Sequence, residues 1–147
     1  MVSSIRWDES VRRCGGERQT MQGLETKLVS VKNDLVREFT TLKAIESQII
    51  AGKDLDTVPR KLQLSSMHIN VMQDELAKIS KSAATIGVRL TRIRDHARRR
   101  GDDQLATAAE QALVQLAQLK TDIKVVDDGV VFARDTVSRL WQMLRSR

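Results

Sequence analysis

The sequence predicts an all-α fold of three long heptad-repeat helices, arranged either as an antiparallel up-down-up coiled coil or as an elongated helical rod. Three observations predict it. Apolar residues recur at alternating spacings of three and four over most of the 147 residues, the repeat that lays a seam along one helix face. Aromatic residues make up only 3% of the chain, so Leu, Val, Ile and Ala supply nearly all the apolar surface, as in helical zippers. One proline, Pro59, and seven glycines interrupt the chain, and the Val and Ile residues fall at helical rather than alternating intervals.

Residues 1–16 stand apart as an N-terminal arm. Ile5, Trp7 and Val11 are spaced for a short helix or an anchoring segment, and Gly15-Gly16 reads as a hinge ahead of the first long helix. Trp7 suits either a tuck against the bundle end or a contact with a partner. Residues 17–147 read as a single three-helix coiled-coil domain, with helices near 17–51, 59–100 and 103–145.

The first helix places Met21, Leu24, Leu28, Val31, Leu35, Leu42, Ile45 and Ile49 on its seam, with Glu38 as the one polar break and Phe39 beside it, positioned to cover it. Ala51-Gly52 offers a left-handed stop, and Pro59 suits the first turn of the next helix, where its missing N–H costs nothing. The second seam runs Leu62, Ser65, Ile69, Met72, Leu76, Ile79, Ala83, Ile86, Leu90, Ile93 and Ala97. Arg98-Arg99-Arg100 complements the negative helix end, Gly101 caps it, and Asp102 or Asp103 caps the third helix. The third seam is wholly apolar: Leu105, Ala109, Ala112, Leu116, Leu119, Ile123, Val126, Val130, Ala133, Val137, Leu140 and Leu144. Both connections are short, which favours antiparallel neighbours.

The first seam is narrow, flanked by polar residues apart from Phe39. The other two helices carry further apolar residues off their seams, including Leu64, Leu113 and Val114. Two readings fit these extra residues. They complete an internal three-helix core, or they wait for another helix. On the second reading the partner-binding residues are Val71, Val88, Val125, Val131, Phe132, Trp141 and Met143.

Residues 52–101 alone account for the net charge of +6. Arg89, Arg92, Arg98, Arg99 and Arg100 form a candidate anion-binding cluster, suited to phosphates, acidic headgroups or the acidic surface of tubulin. Compensation of the helix dipole explains the same residues without a ligand. No aromatic residues interleave with the cluster, which disfavours nucleic acid.

Chemistry leaves few marks. No HExxH, GxGxxG, GxSxG or P-loop pattern occurs, so no catalytic residue, metal or cofactor is expected. His68 and His96 lie on separate turns of one helix and read as surface or flanking residues. Asp102-Asp103 and Asp127-Asp128 lack the alternating ligands of a calcium loop. The lone Cys14 cannot form an internal disulfide, which favours a reducing compartment and hence a cytoplasmic location. No stretch approaches the roughly 20 apolar residues of a membrane span.

Asp54-Leu55-Asp56, then Arg60-Lys61-Leu62, then the apolar positions Ile69, Met72, Leu76, Ala83 and Ile86 resemble the snapin family and, more loosely, the pallidin family. Val29 to Ile50 upstream has matching character, so the resemblance spans residues 29–97; the third seam has no counterpart in it. These families are small coiled-coil subunits of complexes that build lysosome-related organelles and position lysosomes. The resemblance implies a cytosolic subunit of a hetero-oligomeric trafficking assembly, in contact with other coiled-coil proteins and with SNARE proteins. The resulting expectation is a non-enzymatic scaffold or adaptor, with a basic module for microtubules, nucleic acid or acidic membrane as the alternative.

Overall fold

The heptad spacing is realised as three helices: α1 (Val2–Ala51), α2 (Val58–Arg100) and α3 (Asp103–Arg145), with one turn of 3-10 helix at Leu55–Thr57 before α2. The computed structural model describes the backbone of residues 2–147 and the side chains from Cys14 onward. The expected roles of Ile5, Trp7 and Val11 therefore lie outside the described side chains. Among the described residues there is no strand, and no helix is long and apolar enough to cross a membrane.

The hinge expected at Gly15-Gly16 is corrected: α1 passes through both glycines without a break. Each glycine costs about 1 kcal/mol relative to alanine inside a helix. The seam, however, begins earlier than the first apolar run suggests. Cys14 is buried seven residues ahead of buried Met21, and the Thr20 hydroxyl donates to the Gly16 carbonyl at 3.0 Å. Packing on both sides of the pair holds the helix through it.

The two turns are built alike. Gly52 and Gly101 adopt positive φ of 66° and 72°. At the first, Gly52 N donates to Ile49 O and Lys53 N to Gln48 O, at 3.1 and 3.2 Å; at the second, Gly101 N donates to Arg98 O and Asp102 N to Ala97 O, at 3.2 and 2.9 Å. Both are the paired 5→2 and 6→1 bonds that satisfy the last carbonyls of a helix. Asp102 then turns round: its carboxylate accepts the Leu105 N–H at 3.2 Å, capping α3. In the longer first turn, Asp54 is left-handed at φ 49°, and Gln48 ties the loop together by donating to Lys53 O, Asp54 O and the Thr57 hydroxyl.

By its contacts the chain forms two units, one of residues 1–27 with 78–123, the other of residues 28–77 with 124–147. In the second unit, α1 and α2 run antiparallel, joined by Glu38–His68 and Gln48–Lys61. There α3 runs parallel to α1, pairing Phe39 with Phe132 and Glu46 with Arg139. In the first unit, α2 and α3 run antiparallel, with Arg98 bonded to Glu110 and Gly87 against Leu116, while Arg18 of α1 reaches Ala108 O and Gln111 of α3.

The seams pack on one another within the chain. Every expected seam position in the three runs is buried, apart from half-buried Ile93 and Leu144. Glu38 and Ser65 are buried with the rest. Each seam thus already has neighbours within the chain.

Candidate functional site

What the seams leave over is a set of outer apolar residues beside the grooves between helices. Of the residues expected to face a partner, Val71, Val88, Val125, Val131 and Phe132 are exposed, with Val71 at 62% and Phe132 at 64%. Trp141 and Met143 are half-buried. In the heptad of α3 those two flank the seam directly, whereas Val125 and Phe132 stand one position further out.

Phe39, next to Glu38 in the sequence, also has an aromatic neighbour on α3. Its ring lies against Phe132, with centroids 5.8 Å apart and planes tilted by 52°. Close passage of α3 beside α1 depends on a small residue nearby, since a Cβ at Gly129 would meet Leu35 Cδ2 at 2.7 Å.

One groove lies between α1 and α2 in the second unit, with a volume of about 510 Å³ and walls that include Leu64, Val71 and Met72. Polar groups sit at its floor. Glu38 Oε2 faces His68 Nδ1 at 3.0 Å, the carboxylate side chain being 7% exposed and the imidazole 63%. Glu38 Oε1 and Ser65 Oγ are buried and lack any hydrogen-bond partner. His68 is thus exposed, as expected of a flanking histidine, yet it is the one group facing a buried carboxylate. A polar break in an otherwise apolar heptad run was the sequence signal for this floor.

A shallower groove of about 550 Å³ runs between α2 and α3 in the first unit, with Val88, Leu113 and Lys120 on its walls. The arginine cluster lies on the same unit and is partly engaged. Arg89 pairs with Glu17 at 3.6 Å, and Arg98 bonds Glu110. Among the described residues Arg92, Arg99 and Arg100 make no ion pair. Arg98, Arg99 and Arg100 occupy the last turn of α2, where they meet the helix dipole.

Cys14 is buried and free. Its burial pushes the thiol up from the ordinary value of 9.0, against the opposing charge of Arg18 and with a contribution from Glu17. Among the described residues no group of three His, Cys, Asp or Glu side chains converges as a metal site would require.

No family model matches this sequence, and no curated protein matches it.

Proposed function

We propose that the protein is a non-enzymatic coiled-coil scaffold or adaptor subunit that docks partner helices on its outer stripes and grooves. The observation that carries this reading is the division of its apolar surface. The seams are consumed internally, yet Val71 and Val88 remain exposed beside grooves, and Val125 and Phe132 remain exposed on the face of α3. Burying one such side chain is worth about 1.5–3 kcal/mol, which a docked helix recovers. The resemblance of residues 29–97 to the snapin type supports a cytoplasmic trafficking assembly with several coiled-coil members. Engagement of Arg89 and Arg98 by carboxylates weighs against the basic-module alternative.

The test is affinity purification of the full chain at low salt beside a Val71→Asp, Phe132→Asp variant. Small coiled-coil proteins should co-purify with the native chain and be lost from the variant, whose circular-dichroism helicity stays unchanged. Recovery of tubulin or RNA instead, abolished by alanine at Arg98, Arg99 and Arg100, overturns the reading.

A further inference from the structure

The groove between α1 and α2 holds two cations of its own, and both are turned elsewhere. Arg37 Nη2 donates to Asp34 Oδ1 at 2.6 Å, and Lys61 Nζ donates to Gln48 Oε1 at 2.8 Å. Neither serves Glu38, whose Oε1 is buried without a donor, as is Ser65 Oγ in the same groove. A buried carboxylate with a vacant oxygen costs more than a neutral group would. On a coiled-coil seam, a polar residue of this kind is a device for selecting a partner and its register.

Resting on the adaptor reading above, we infer that this groove binds an amphipathic helix of a different protein bearing one lysine or arginine on its apolar face, whose N–H donors bond Glu38 while its apolar residues cover Leu64 and Val71. Charge complementarity selects the cation. No seam of a second copy can serve as that helix, because the seams are already buried within the chain. The partner's cation would take the place of His68, whose side chain is 63% exposed beside the 7% exposed carboxylate.

Three labelled helical peptides of about 20 residues, identical except for lysine, norleucine or glutamate at the centre of the apolar face, are titrated into the full chain by fluorescence anisotropy. The lysine peptide should bind about tenfold more tightly than the norleucine peptide, the gain of one charge-assisted hydrogen bond. Glu38→Gln, which keeps the side chain's size, should erase that preference, and Val71→Asp should abolish binding of all three. Equal binding of lysine and norleucine peptides overturns the inference, and loss of both with Val71→Asp then leaves the adaptor reading standing. Failure of every peptide to bind counts against both. Self-association of the native chain that Val71→Asp removes assigns the groove to a second copy and overturns the inference. The comparison among peptides on the native chain stands by itself where a variant unfolds.

Discussion

Glu38 Oε2 lies 3.0 Å from His68 Nδ1, while the other oxygen of the same carboxylate is buried with no donor. The free chain therefore holds on its seam a carboxyl oxygen that its own fold does not satisfy. Glu38→Leu should raise the unfolding free energy by about 1–3 kcal/mol, the desolvation penalty recovered when an incompletely paired buried group is replaced by an apolar one. Urea denaturation measures it. A clear loss of stability would show that the carboxylate supports the fold rather than serving a partner.

Gly101 and Asp102 should be the most sensitive positions of the second turn. Gly101→Ala forces a Cβ into a backbone at φ 72°, at a cost of about 1–2 kcal/mol. Asp102→Ala removes the acceptor of the Leu105 N–H and should cost about 1 kcal/mol. Thermal melts of both variants against the parent check this; Asp103→Ala, which loses only a first-turn charge, should cost no more than about 0.3–1 kcal/mol.

The buried Cys14 thiol sets a pH dependence at the alkaline end. Its folded-state pKa is raised above the ordinary 9.0, so the folded chain holds the proton more tightly than the unfolded chain does. Stability is fully present below the unfolded pKa and is lost as pH rises from there through the folded-state pKa. Denaturation midpoints should fall at alkaline pH in the parent and fall less in Cys14→Ala. Alkylation by iodoacetamide near neutral pH should run at least about tenfold slower in the folded chain than in urea.

Gly129 and Leu35 should behave as a coupled pair. Gly129→Ile drives a branched side chain into Leu35 Cδ2 and should cost about 1–3 kcal/mol as overpacking. Adding Leu35→Ala should recover part of that loss, giving a non-additive double-mutant cycle. Strict additivity would mean that the two helices part freely there.

The two units should differ in local stability. In the first, buried positions include Ala83, Ala97, Ala106, Ala109 and Ala112, whereas the described core of the second has one alanine, Ala133. Smaller side chains bury less apolar area, so amides around Ala106–Ala112 should exchange with solvent sooner than those around Leu62–Met72. Hydrogen-exchange mass spectrometry reads the difference directly.

Nearly the whole helical framework was legible in the sequence, because burial on a helix face follows directly from spacing. The two seam residues that stay half-buried have local reasons. Leu144 sits at the last turn of α3, and Ile93 borders a hollow shared with Glu17, Arg89 and Arg92. Gly15-Gly16 misled because a glycine pair weakens a helix without ending it when packed residues stand on either side. The candidate site was less legible. Spacing marks Glu38 as a polar break and Val71 as an outer residue, but it does not say that Arg37 and Lys61 turn away from the carboxylate or that His68 turns towards it. Those choices depend on side-chain geometry across two helices, which the heptad does not encode. Gln48 was missed for the same reason: its three acceptors come from a loop that takes shape only once the chain reverses.

Asp102 receives the last bond of one helix through its amide and opens the next through its carboxylate, so the corner between α2 and α3 has no slack residue. Lengthening the chain there by even one position would oblige it to leave one helix end bare.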